Sequence, residues 1–408
     1  MKSKNIALPI FLTVFLDMLG VGIVIPIIPS LFLDFNNGFL PTDLGISSRN
    51  ILLGFLLASY SFAQFFGSPV LGALSDNRGR KPILTISLIG TLAGYLLFAF
   101  GLQQQSIVIL FLSRLLDGFT GGNISIAFSV ISDISDEKSK AKNFGMVGAA
   151  FGLGFILGPY IGGKLADPTL VSWFNVKTPF YFAAFLAFLN ILSVRFYLPE
   201  TLSVKNNRAI SFGTGIKNVA EAFTLPHLRK IFLMVFFITL GFTFFTTFFQ
   251  VFCFNKYHWK IPEIADFFAY IGLWIVIAQG GLIRPLSKKY SPIPILKITL
   301  LTLSIALFFV IVPDKGMYAF IIGPFIALSQ GISSPNVTTI VSEAALPQEQ
   351  GKIMGINQSV ASLAMTIPPI IAGFVTNISA SLPNILASVF TLLAWFVLLT
   401  IKSEKKVA

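Results

Sequence analysis

Three ionisable residues stand inside long apolar runs of this chain: Asp17, Arg114 and Asp117. A charge at the centre of a bilayer costs about 2.5–3.5 kcal/mol on insertion scales, so such residues are functional candidates. Arg114 and Asp117 are three apart and become neighbours on one helix face. Arg114 also reaches Asp17 if the first and fourth apolar runs face one cavity. An acid partly shielded from water there can hold and hand on a proton. Arg114 would modulate that acid or hold an anionic group of a solute. A buried structural network with no transport role is the alternative. Uncharged polar groups at similar depth are Asn123, Gln250, Gln279, Gln330, Asn336 and Asn357. They are candidates to line the cavity or to bond between helices. Trp274 is the aromatic candidate at that depth.

The elements that must carry these residues follow from composition. Of 408 residues, 55% are hydrophobic and 11% charged, and the mean hydropathy is +0.82. A soluble chain carries roughly a quarter charged residues, so this one cannot cover a water-facing surface. A spanning helix needs about 20 apolar residues. Twelve apolar runs fit, near 7–33, 50–75, 82–102, 106–133, 142–166, 178–198, 230–253, 265–286, 293–313, 316–342, 352–376 and 383–401. The first is too long for a cleaved signal and contains Asp17, Pro26 and Pro29, so it reads as an uncleaved helix. With the N-terminus cytoplasmic, 22 of the 29 Lys and Arg fall inside and six outside, Arg49 among the six. That bias satisfies the positive-inside rule with both termini cytoplasmic. It also accounts for the net charge of +12 without a nucleic-acid partner.

An internal repeat divides the chain. An offset of 210 residues aligns Gly121 with Gly331, Asp133 with Glu343, Lys142 with Lys352, Gly145 with Gly355, Pro159 with Pro369 and Gly163 with Gly373. The reading is an all-α membrane protein of twelve transmembrane helices in two six-helix pseudo-symmetric bundles. The bundles are residues 1–198 and 230–408, and 199–229 is a cytoplasmic linker. Parallel halves of this kind suit a protein whose halves rock about a central site. The single cysteine, Cys253, excludes a disulfide framework, and two histidines leave little for a zinc site. No GxxxxGK[ST] loop is present, so energy should come from an ion gradient. Neither an enzyme, a cofactor nor a metal site is expected.

Four motifs carry a resemblance. Between the second and third runs stands Gly72-Ala-Leu-Ser-Asp76-Asn-Arg78-Gly79-Arg80-Lys81-Pro82. It resembles the signature loop of the major facilitator superfamily, with Asn77-Arg78 where the family has arginine then any residue. Asp76 can accept hydrogen bonds at a helix end, and Gly72 would permit close helix approach. Such a loop is expected to act as a conformational latch on the cytoplasmic side. The other matches are Leu16-Asp17 to Pro29, Arg114-Leu-Leu-Asp117-Gly118, and Gly148 to Gly163 with Gly154, Gly158, Pro159 and Gly162. The last resembles the antiporter motif of the drug:proton antiporter-1 group, and the first half looks most like its tetracycline-type members.

That resemblance implies proton-coupled export of a small organic solute, a drug or metabolite, from a bacterial inner membrane. Protons, the solute and the lipid bilayer are the expected partners, and a monomer the expected form. The tetracycline exporters also use acids in the third and ninth spans and a histidine in the eighth. Here those places read Gly94, Leu303 and Ile275, which weakens the expectation of a tetracycline–metal chelate. An importer or exporter of a metabolite or polycarboxylate siderophore is the alternative.

Overall fold

A computed structural model of the chain describes residues 7–24, 26–34, 39–135, 150, 153–154, 157–202, 211–344 and 350–401. In a bilayer each backbone amide and carbonyl must be bonded within the protein, and the apolar runs satisfy this as helices. The first span is α1 (Ala7–Val24) and α2 (Ile27–Leu33), with Pro26 at the break. A proline supplies no amide hydrogen, which suits it to that place. Then come α3 (Ile46–Arg78), α4 (Arg80–Gln103), α5 (Ile107–Thr120), a 3₁₀ turn at Gly121–Asn123, and α6 (Ile124–Ile134). Helix α7 (Thr178–Tyr197) ends the first half, and the short α8 (Thr214–Thr224) follows it. The second half is α9 (Pro226–Phe252), α10 (Ile261–Ile277), α11 (Ile283–Lys289), α12 (Pro292–Phe309), α13 (Met317–Glu343), α14 (Gln350–Val375) and α15 (Leu382–Leu399).

Among the described residues, 11 helices are long and apolar enough to cross a membrane. The expected fifth span, 142–166, lies partly outside the described residues, and 157–165 within it is helical. Gly145, Gly148 and Lys142 fall outside, as do the terminal lysines. The second span is longer than its apolar run, because the polar ends Ser47–Asn50 and Asp76–Arg78 are also helical. The linker holds a helix, α8, where no element was expected.

In the first half α1 packs on α7, α4 on α5 and α7, and α3 on α5. In the second half α9 packs on α15, α12 on α13 and α15, and α10 on α13. Helices α3 and α14 meet between the halves. The side on which the chain emerges after α2 is termed outer. There the repeat becomes visible in space. A Cβ on Gly163 would run into Ala265 of α10, and one on Gly373 of α14 would lie 2.8 Å from the Asn50 carbonyl oxygen of α3. Asn50 Nδ2 donates to Asn377 Oδ1 at 2.9 Å, and Lys164 pairs with Asp266 at 3.3 Å.

Arg49, assigned to an outer loop from sequence, is 0% exposed in the first turn of α3. Its guanidinium donates to the carbonyl oxygens of Phe32, Pro41 and Leu44 at 3.0, 2.8 and 2.9 Å. Satisfied donors are what make a buried arginine tolerable. Hydropathy alone places it at a span end, where loop and helix look alike.

Candidate functional site

Asp17 on α1 and Asp117 on α5 line one narrow cavity, together with Tyr60, Thr91, Tyr95 and Asn123. Asn123 Nδ2 donates to Asp17 Oδ2 at 2.5 Å. Asn190 of α7 donates its Nδ2 to Asp17 Oδ1 and to the Thr13 carbonyl, both at 3.3 Å. Arg114 Nη2 lies 3.0 Å from Asp117 Oδ2, so the expected pair forms. Its guanidinium carbon also lies 4.9 Å from the centre of the Phe98 ring, and about 6 Å from those of Tyr60 and Tyr95. An aromatic face attracts a cation, and the three rings surround this one. The expected reach of Arg114 to Asp17 is replaced by these contacts, and Asp17 takes amide donors instead. Among the described residues, Arg114 Nε and the Tyr95 hydroxyl have no hydrogen-bond partner. Leaving buried polar groups unpaired is costly.

Glycines set the position of Asp17. Gly154, Gly158 and Gly162 recur every four residues and press on the α1 backbone from Phe15 to Ile23. A Cβ on Gly158 would fall 2.6 Å from the Gly22 Cα. Small residues let membrane helices approach this closely. Gly94 of α4 plays the same part for Asp117, because a Cβ there would lie 2.7 Å from the Asp117 Cβ. The place where the resemblance leads one to seek a third-span acid is thus filled by the Asp117 side chain.

A buried arginine–aspartate pair and a second, half-buried acid on one cavity of a two-bundle fold can be set beside known proteins. The Major Facilitator Superfamily profile matches residues 10–367. The chain belongs to that superfamily. It is a membrane transporter. It is 30% identical over 380 residues to the tetracycline resistance protein, class B, of Escherichia coli, covering 92% of this chain and 89% of that one. Over 409 residues it is 26% identical to multidrug resistance protein 2 of Bacillus subtilis (strain 168), covering 99% and 97%. In fold it is similar to the human organic anion transporter MFSD10 (TETRAN), with a TM-score of 0.76, 23% identity and coverage of 98% and 100%. A D-xylose–proton symporter gives a TM-score of 0.78 at 16% identity, with 98% of each chain covered.

In this transporter the signature loop forms one polar knot. Arg80 Nη1 donates to Asp76 Oδ1 at 2.5 Å and to Ser75 Oγ at 2.8 Å, and its Nε donates to Asp133 Oδ2 at 3.0 Å. Gly79 takes a φ of +112°, which only glycine adopts readily, and so is the single residue between the end of α3 and the start of α4. Glu200, which sequence reasoning passed over, accepts from the backbone amides of Arg80 and Lys81 at 2.9 and 3.2 Å. It caps α4 from the far end of the same half. Lys81 Nζ donates to the Arg195 carbonyl at 2.9 Å, and Arg78 is exposed. A Cβ on Gly72 would meet only Ser125 Oγ, at 3.6 Å. Close helix approach is therefore not what Gly72 provides in this arrangement.

The polar candidates elsewhere separate. Asn123 joins the Asp17 cavity. Gln250 lies on a second, outer cavity of about 570 Å³, with Asp34, Asp167, His258, Trp259 and Lys260. The exposed Asp167 carboxylate there is held below its ordinary range by the hydroxyl and amide of Thr169. Asn336 is buried and donates its Nδ2 to the Ile332 carbonyl of its own helix at 2.7 Å. Gln279 is half-buried in a π turn at Ala278–Leu282. Gln250 Oε1, Trp274 Nε1, Gln330 Oε1 and Asn357 Oδ1 are buried without hydrogen-bond partners among the described residues. Asn190, Tyr60 and Tyr95 were missed. Asn190 stands in an apolar run as a polar interruption, the one signal that marks it.

Proposed function

We propose that this transporter exports a small organic solute, a drug or related metabolite, in exchange for protons. The carrying observation is that Asp17 and Asp117 line one cavity, with Arg114 paired to the second acid and the amides of Asn123 and Asn190 donating to the first. A carboxyl that alternates between an ion pair and a proton couples proton movement to the arrangement of α1 and α5. Asp17 and Asp117 are the coupling sites, and Arg114 sets the state of Asp117. Relatives named for tetracycline, multidrug and, in Staphylococcus aureus (strain MSSA476), quinolone resistance support a drug substrate. A transporter confers resistance by carrying the drug outward, which favours export over siderophore uptake.

The bundles 1–198 and 230–408 rock about the seam, joined by 199–229, with both termini cytoplasmic, and one chain suffices for the cycle. Asp76, Arg80, Asp133 and Glu200 hold the inner ends of α3, α4, α6 and α7 as a unit that meets the other bundle when the inner side closes. The glycines at 154, 158 and 162 keep α1 against the fifth span through the cycle. Gln250, Trp274, Gln330 and Asn357 supply hydrogen bonds to the solute. The test is flux in everted vesicles with and without a proton gradient, over tetracycline, a fluoroquinolone and a ferric siderophore. Gradient-dependent uptake of either drug is expected. Flux of the siderophore alone, or flux indifferent to the gradient, would overturn the reading.

A further inference from the structure

Helix α8 is short, yet it touches both halves well away from the inner surface. On the first half, a Cβ on Gly215 would lie 2.9 Å from the Phe65 carbonyl oxygen of α3. The Phe212 ring, just before α8, sits 6.2 Å from that of Phe119 on α5. Phe65 is 13 residues before Arg78, the inner end of α3, which is about 20 Å at the rise of a helix. Phe119 lies at a similar height above the end of α6. On the second half, Asn218 Nδ2 donates to Ser359 Oγ of α14 at 3.0 Å, and Glu221 pairs with Lys352 at the inner end of α14. The chain thus starts at mid-depth near Phe212 and descends along α14 to the start of α9.

Two asymmetries follow. The polar bonds named here all tie α8 to α14, and α8 runs straight into α9 of the same bundle. Against α3 and α5, the contacts named among the described residues are those of Gly215 and of the Phe212 ring just before the helix, with no hydrogen bond or ion pair between them. The outward face is also apolar. Phe212 and Ile216 are 62% and 59% exposed, and Ala220 is exposed one turn further on. Ile216 and Ala220 share one face of the helix, and with Phe212 just before it they form an exposed apolar patch that suits lipid better than water. The neighbouring exposed Lys217 has a stem long enough to reach toward the headgroups.

We propose that α8 is a re-entrant seal carried by the second bundle, covering the inner half of the seam between α3 and α14 and sliding over α3 and α5 as the bundles rock. This rests on the alternating-access reading above. The test uses Cys253→Ala protein with one of two cysteine pairs. Phe119→Cys with Phe212→Cys is joined by a short bis-methanethiosulfonate, and Asn218→Cys with Ser359→Cys is oxidised to a disulfide. Mass spectrometry of the digested protein scores each link without any substrate. Opening is read by maleimide labelling of Asn50→Cys, a position 3% exposed in the closed outer seam, and by tetracycline and fluoroquinolone efflux. The first link should slow labelling at least tenfold and stop efflux until reduced. The second should leave labelling within about twofold of the reduced protein. Equal effects of the two links, or failure of either pair to join, would overturn the proposal. Labelling that follows these expectations while neither drug moves would instead indict the drug-export reading and leave the seal standing.

Discussion

Gly158→Ala places one methyl group where α1 and the fifth span already touch. Its Cβ would fall 2.6 Å from the Gly22 Cα and 2.7 Å from the Leu19 carbonyl oxygen. Carbon atoms rest at about 3.5–4.0 Å, so α1 must retreat by about 1 Å. Both neighbours are backbone, and no rotamer change relieves them. Overpacking of this kind costs about 1–3 kcal/mol, or roughly five- to 150-fold in a two-state equilibrium. Asp17 lies two residues from Leu19, so the same retreat pulls it from Asn123, which it meets at 2.5 Å. Gly158→Ala should therefore unfold at a lower temperature in detergent and also lose drug efflux. Gly72→Ala is the matched control. Its Cβ meets only Ser125 Oγ at 3.6 Å, and a substitution without such a clash is expected to stay within about 0.5 kcal/mol of wild type. A normal unfolding midpoint and normal efflux in Gly158→Ala would refute the packing argument. Equal damage from Gly72→Ala would refute the contrast drawn between the two glycines.

Other expectations are as specific. Arg49→Met strips the charged donor from three carbonyl groups, and hydrogen bonds to a charged group are worth about 1.5–3 kcal/mol each. The amount of folded protein in the membrane should drop sharply, as measured by fluorescence-detected gel filtration, and normal yield would count against a structural role for the Arg49 hydrogen bonds. Asn190→Leu should cost about 1–3 kcal/mol of stability, a loss the fold survives, because it leaves Asp17 Oδ1 and the Thr13 carbonyl without the donor they share and an unpaired buried acceptor carries that penalty. The pH profile of drug efflux should nevertheless move, because Asp17 loses a donor, and an unmoved profile would remove Asn190 from the site. Lys164→Asp should speed labelling of Asn50→Cys by at most about fivefold, as suits a half-exposed pair worth about 1 kcal/mol or less. Adding Asp266→Lys should restore the original rate, and failure to do so would show that the pair does not clasp the outer side.

The spans were legible because burying backbone in hydrocarbon demands helices, and twenty apolar residues announce one whatever their neighbours. The repeat was legible for the same reason, and Gly163 and Gly373 prove to mark equivalent contacts of the two halves. The pairing of Arg114 with Asp117 followed from helical spacing alone. What stayed hidden is set by contacts distant in sequence. Asn190 finds Asp17 across 173 residues, and Glu200 finds the amides of Arg80 and Lys81 across about half a bundle. The burial of Arg49 depends on carbonyl groups, which no side-chain pattern reports. Helix α8 was overlooked because its polar residues bond to α14, so the linker read as solvated.

The central claim is that protons drive the solute through Asp17 and Asp117. The most direct measurement is tetracycline and fluoroquinolone accumulation in everted vesicles carrying wild-type, Asp17→Asn or Asp117→Asn protein at matched expression, with an imposed proton gradient and again after a protonophore. Wild type should show gradient-driven accumulation that the protonophore abolishes, and Asp117→Asn none above the protonophore level, with Asp17→Asn similarly impaired. Accumulation by Asp117→Asn equal to wild type and still sensitive to the protonophore would contradict that claim.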